Sequence, residues 1–285
     1  MMAQQDMLFK IYDKTGTEVS FEQMMLELKK ADGVFFGEYH NNSVAHWFEL
    51  IITEKLFEFH GKELILGAEM FESDDQLILD EYLAGMMEEK NFELEAKLWN
   101  NYKTDYRPLV EFAKEKGLRF IATNIPRRYA AYVHKRGGLA SLDSLSKEAK
   151  KYIAPLPVIF YENIYMPMFM GMGMQGAMSK SPSKTEEHAS QGMLQIAHAQ
   201  AVKDATMAWF LSENMKKNTK FVHFNGSMHS DKYQGIISYL KEFSPKLSIA
   251  TVTTVEQDDI SVLNEAAKAK ADFIICVHTS ATKTY

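Results

Sequence analysis

The chain reads as an α/β protein: a central, largely parallel or mixed sheet flanked by helices, with a helical lid or insertion. Three observations predict this. Short apolar runs recur at "GVFFGEYH", "ELILGAEMF", "GLRFIATNIPRR", "TKFVHFNGSMH", "KLSIATVTTV" and "ADFIICVHT". Stretches with helical spacing lie between most of them, and strands alternating with helices build parallel sheets. No linker or low-complexity tract divides the 285 residues, so a single domain is expected over 1–285, with roughly 140–215 as the helical insertion.

Taken in order, "MLFKIYDKTGTEVS" alternates around Thr15-Gly16 and predicts a small hairpin. Ser20 with Gln23 forms a capping-box pattern that opens a helix over 21–31. The strand "GVFFGEYH" leads into a helix capped by Asn42 or Ser43 and stopped by Gly61. A second buried strand, "ELILGAEMF", precedes a long helical stretch from about Asp74 to Glu115. The third strand ends at Asn124 and Pro126. After the mostly helical 140–215 come a fourth strand, the helix "GIISYLKEF" and two closing strands.

A net charge of -6 and a pI near 5.9 argue against a polyanionic partner, so no nucleic acid is expected. The lone cysteine, Cys276, sits in an apolar run and reads as a core residue. No stretch reaches the roughly 20 apolar residues of a membrane helix. At the N-terminus, the small Ala3 followed by polar residues in "MMAQQDM" resembles the tail of a secretory signal. The expected place is therefore the periplasm or the outer membrane's surface, with the cytoplasm as the alternative.

Polar groups fall at strand ends. Glu38 and His40 follow the first buried strand, Glu69 ends the second, and Asn124 with Arg127 and Arg128 follows the third. The fourth ends at Gly226 and His229. In an open parallel sheet these carboxyl ends share one edge, where ligand crevices form. "GEYH" and "GSMH" are both Gly-x-x-His, and two histidines with two carboxylates (Glu38, His40, Glu69, His229) make a normal ligand set for a divalent metal. Glu69 is the most telling, because a buried carboxylate costs several kcal/mol unless paired or ligating. His40 also suits a helix start, and His46 suits packing on the helix that follows.

A second anomaly is "YMPMFMGMGMQGAM", which holds six of the 18 methionines among glycines. Such a surface suits a flat hydrophobic ligand, lipid, a partner or a lid on the core; a dedicated copper site is the lesser alternative.

Five segments together resemble the ChaN-like haem-binding proteins of bacterial iron uptake, within the wider Tiki, TraB and erythromycin-esterase superfamily. They are "FFGEYHNNSVAH", "LGAEMFESDDQLILDEYLAG", "WNNYKTDYRPLVEFAKEKGLRFIATNIPRRY", "AQAVKDATMAWFL" and "NGSMHSDKYQGIISYL", covering most of 34–240. The resemblance implies a haem-binding envelope protein, often lipid-anchored, although no lipobox cysteine is present. It also implies that Glu38, His40, Glu69 and His229 match the site that relatives use for metal-dependent proteolysis or ester hydrolysis. For haem, the lid offers Tyr161, Tyr165, Met168, Met170 and Met172, and Arg127 and Arg128 suit the propionates. His46 and Asn124 complete the cofactor-binding candidates. A homodimer sharing its haem, envelope uptake components as partners, and a metal-dependent hydrolase as the alternative activity follow as expectations. A serine hydrolase is disfavoured, since no Gly-x-Ser-x-Gly elbow occurs.

Overall fold

The alternation of apolar and helical segments closes into one seven-stranded sheet in the order β1-β7-β6-β2-β5-β3-β4. The structure, a computed structural model, describes residues 8–173, 184–216 and 218–285; side chains of 169–173 and 184–190 also lie outside the description. The strands are β1 (Phe9–Asp13), β2 (Gly33–Glu38), β3 (Leu64–Glu72), β4 (Arg119–Asn124), β5 (Lys220–Gly226), β6 (Ile249–Gln257) and β7 (Phe273–His278). All neighbours run parallel except β1, which pairs antiparallel with β7. The sheet is therefore mixed and mostly parallel.

Strand periodicity assigns the core. Phe35 and Phe36 are adjacent and fully buried, yet they serve opposite layers. Phe36 joins Leu66, Phe120 and Phe224 beneath helices α1 (Phe21–Leu28), α2 (Ser43–His60), α3 (Gln76–Leu83), α4 (Glu89–Glu95) and α5 (Arg107–Lys116). Phe35 joins Ile65, Ile121 and Phe221 on the other face. That face is covered by α8 (Lys184–Asn214) and α9 (Ile236–Phe243), flanked by α6 (Arg127–Lys135) and α7 (Glu162–Gly173). A run buried on both faces has no polar side to alternate, which is why these strands are continuously apolar.

Local signals hold where the chemistry is local. Ser20 and Gln23 make both bonds of the capping box, and Asn42 caps α2 through Val44 N and Ala45 N. The predicted hairpin turns over residues 13–17: Asp13 N donates to Thr17 O and Val19 N to Ile11 O, each at 2.9 Å, around the antiparallel Tyr12–Glu18 bridge, while β1 also pairs with β7. One expectation changes. The stretch from Asp74 to Glu115 is not one helix. Gly85, at a φ of 74°, ends α3, and a π-helical turn over Tyr102–Tyr106 precedes α5.

The sheet order sets the crevice. From β2 the chain crosses to β3 on one side, and from β5 it crosses back over β2 to β6. The carboxyl ends of β2, β3 and β5 therefore flank the place where strand order reverses. Between Ala68 and Glu72 the β3–β4 register shifts, and Glu69 lies inside that irregularity. Among the described residues, no helix is long and apolar enough to cross a membrane.

Candidate functional site

The strand ends converge on a cleft of about 590 Å³ lined by His40, Glu69, Lys203, His229, Lys283 and Tyr285, with Glu38 and Gly226 in its floor. On one side, the buried Glu38 Oε1 accepts from His40 Nδ1 at 2.6 Å and from the Tyr106 hydroxyl. Burial works against charge on both groups. The ion pair outweighs it for His40, raising its pKa above the ordinary value, while Glu38 is held down by its contact with the Glu49 carboxyl and by the His40 and His46 imidazoles. The His40 side chain remains 36% exposed, with Nε2 turned toward the cleft floor.

On the other side, His229 is buried and held at both ring nitrogens. Nδ1 bonds Asp204 Oδ1, and Nε2 stands 3.3 Å from Glu69 Oε1. Tyr165 donates its hydroxyl to Asp204 Oδ2 at 2.6 Å. Burial disfavours the imidazolium, but the flanking Glu69 and Asp204 outweigh it and push its pKa up to about 10. Glu69 stays well below the usual carboxylate range because the His229 charge overcomes its desolvation. Its Oε2 also accepts from Gly226 N at 2.9 Å.

The two sides meet at Gly226. A Cβ there would lie 2.9 Å from His40 Nε2 and 3.6 Å from Glu69 Oε2, so glycine is what lets them close. Glu38, His40, Glu69 and His229 thus border one cleft. Among the described residues, however, the donor set drawn within 4.8 Å is a different one: Glu38, His46 and Glu49. Both nitrogens of His229 and both oxygens of Glu69 are already engaged.

The remaining candidates disperse. His46 lies behind Glu38, with Nδ1 2.9 Å from Glu49 Oε2 and Nε2 3.1 Å from the His40 carbonyl. Asn124 supports β3 by donating to the Glu69 carbonyl at 2.8 Å. Arg128 pairs with Asp74, whereas Arg127 lines a neighbouring recess of about 310 Å³ that shares Tyr285 with the cleft. Tyr165, on α7, is fully buried against Asp204, and Tyr161 donates to Glu242 at 3.2 Å. Met168 packs half-buried on the second core, and the side chains of Met170 and Met172 lie outside the described residues. Phe160, Tyr161, Met166 and Pro167, with Glu162 and Asn163, line an open, mostly apolar shelf of about 500 Å³.

Several functional groups escaped the strand-end pattern. Asp204 and Lys203 come from the middle of α8, Glu49 from α2, and Asp105 and Tyr106 from the π-helical turn. A signal existed for two of them: Glu49 and Asp204 are carboxylates set among Phe48, Leu50 and Ile51, and among Ala205, Met207 and Ala208. The burial cost that singled out Glu69 applies to both.

Solved structures share this architecture. ChaN of Campylobacter jejuni, described by its cofacial haem binding, superposes with a TM-score of 0.66 over 94% of this chain and 96% of its own, at 18% identity. An erythromycin esterase, EreC, in its open conformation matches at 0.53 over 97% and 98%, at 12% identity. At these identities the likeness concerns the fold. No curated protein matches the sequence. The sequence profile described as "Haem-binding uptake, Tiki superfamily, ChaN" matches residues 24–240, and the chain belongs to that family.

Proposed function

We propose that this chain binds an iron porphyrin along α7 and serves haem uptake at the bacterial cell envelope. The observation that carries the reading is the match to the haem-binding uptake family over residues 24–240. The apolar shelf of Phe160, Tyr161, Met166 and Pro167 fits a flat macrocycle better than the polar cleft does, because porphyrin faces need apolar contact. Haem bound there would bring an iron able to take a ligand from the protein. Tyr161, a residue type that could ligate haem iron, stands at the shelf. The described haem geometry of Campylobacter jejuni ChaN supports a further step: two copies share haem face to face, covering both shelves.

Hemin titration followed by the Soret band tests this, with light scattering to read the mass of the complex. Tyr161→Ala and Met166→Asp are expected to weaken binding at least tenfold, and His40→Ala to leave it within twofold. The opposite pattern would move the porphyrin into the cleft. A wild-type chain that leaves the hemin spectrum unchanged ends the reading. Fractionation of the native cells tests the envelope location separately.

One observation favours a second reading. Two imidazole–carboxylate pairs face Glu69 across Gly226, an arrangement that porphyrin carriage does not require. It suits hydrolysis, with His40 as the exposed group that exchanges a proton with the substrate. Turnover of ester or peptide substrates that disappears in His40→Ala is the result that would favour it.

A further inference from the structure

Behind the cleft, α2 and β2 enclose a pocket that neither porphyrin binding nor the cleft explains. Glu38 is 3% exposed and Glu49 is sealed at 0%, yet Glu38 Oε2 and Glu49 Oε1 have no hydrogen-bond partner. Two carboxylates so placed are costly unless a cation or a proton joins them. Between them stands His46, whose Nδ1 is 2.9 Å from Glu49 Oε2 and 3.3 Å from Glu38 Oε2.

We propose that Glu38, His46 and Glu49 form a binding site for one divalent transition-metal cation, separate from any porphyrin iron. One donor atom from each residue falls within 4.8 Å of the others, close enough for a single ion to touch all three. The imidazole is already oriented for the task. Its Nε2 bonds the His40 carbonyl at 3.1 Å and lies 3.4 Å from Asp105 Oδ2, which leaves Nδ1 to face the carboxylates. A ligating histidine characteristically gives its other nitrogen to a carbonyl or carboxylate in this way. Asp105 is itself fixed by Asn101 at 2.6 Å and Thr284 at 2.7 Å, so the orienting partner is not free to swing.

The donor set selects the ion. Two carboxylates with one imidazole suit manganese, ferrous iron or zinc; without a thiolate or thioether, the set does not select Cu(I). The site is sealed and far too small for a macrocycle, so its occupant is acquired on folding or through local opening. Its effect reaches the cleft through Glu38. The ion holds Oε2 while Oε1 holds His40, so the metal acts as a positioning element for the exposed imidazole.

The competing occupant is a proton shared by Glu38 and Glu49, and elemental analysis separates the two. The full chain is produced in media supplemented in turn with manganese, zinc and cobalt, dialysed, and measured for metal per chain, with haem iron counted separately. About one equivalent of one metal is expected in the wild type. Glu49→Gln and His46→Asn are expected to lose at least nine-tenths of it, and His40→Ala, which keeps the backbone carbonyl, to retain it. A cobalt-loaded sample should show d–d bands that vanish in the same two variants. Glu49→Gln is the informative substitution because its amide can donate to Glu38 and keep the pocket filled. Folded wild type with less than a tenth of an equivalent in every medium overturns the proposal in favour of the shared proton. Metal retained in Glu49→Gln but lost in His40→Ala overturns it in favour of an ion in the cleft.

Discussion

His40 and His229 are built by the same device and put to different use. Each imidazole is bonded at Nδ1 by a buried carboxylate, Glu38 or Asp204, and each carboxylate also takes a buried tyrosine hydroxyl, from Tyr106 or Tyr165. The difference lies at the far nitrogen. Nε2 of His229 meets Glu69 in a sealed setting, while His40 keeps a side chain 36% exposed at the cleft. One copy is a locked ion cluster that braces the floor; the other leaves a nitrogen for whatever enters. The same charge pair thus stabilises where it is buried on all sides and is available where one side is wet.

That contrast makes unequal costs the first expectation. Asp204→Ala leaves the buried His229 imidazolium only Glu69, takes the acceptor from the Tyr165 hydroxyl, and should cost about 3–5 kcal/mol in urea unfolding at neutral pH. His40→Ala removes a half-exposed partner, leaves Glu38 its Tyr106 bond, and should cost under about 1 kcal/mol. Equal losses would dissolve the distinction between the two sides.

The locked side should also write itself into the pH profile. The His229 pKa is raised to about 10, so its contribution to stability is complete below the ordinary histidine value, near 6.5, and fades as pH rises toward 10. His223 acts in the opposite sense. Burial pushes its pKa down to about 4, so the fold excludes a proton that the unfolded chain accepts, and stability falls as pH drops from about 6.5 toward 4. Unfolding free energies measured across pH 4–10 should show both limbs, each of the order of ~3 kcal/mol. His46, flanked by Glu49 and Glu38, is likewise raised to about 10, so His229→Gln should roughly halve the alkaline limb and spare the acid one. An alkaline slope unchanged by that substitution would show that His229 does not contribute to it.

Smaller but parallel effects are expected at the two tyrosines. Tyr106→Phe and Tyr165→Phe each remove one hydrogen bond to a buried acid, worth about 1.5–3 kcal/mol where the acceptor is charged. Calorimetric melting of both variants checks the symmetry of the device. A loss at one tyrosine alone would show that only one carboxylate needs its phenol.

The sequence revealed this site unevenly, for physical reasons. Glu38, His40, Glu69 and His229 follow unbroken apolar runs, and a strand buried on both faces leaves its next polar residue at the sheet's edge. Their meeting was therefore legible. Asp204 and Tyr165 were not, because they sit within helices crossing the sheet, where the partner of a carboxylate is decided by packing between distant segments. Tyr106 and Asp105 depend on a π-helical turn that no local preference announces. Glu49 stood in plain view, three residues from His46 and flanked by Phe48, Leu50 and Ile51. The cost of burying charge, applied evenly, finds it.

The smallest effect sharpens the comparison most. Gly226 has a φ of -54° and a ψ of 137°, which alanine adopts freely, so Gly226→Ala adds no backbone strain. Its amide keeps the bond to Glu69 Oε2. The new methyl would meet the His40 ring first, at 2.9 Å from Nε2 and 3.0 Å from Cε1, and Glu69 Oε2 only at 3.6 Å. His40, with solvent on one side, can turn aside; His229, clamped at both nitrogens, has nowhere to go. Stability should change by under about 1 kcal/mol. The His40 imidazole resonances should move while those of His229 stay fixed. Equal movement of both rings would mean that the floor transmits strain from one side to the other, and that the two histidines work as one unit.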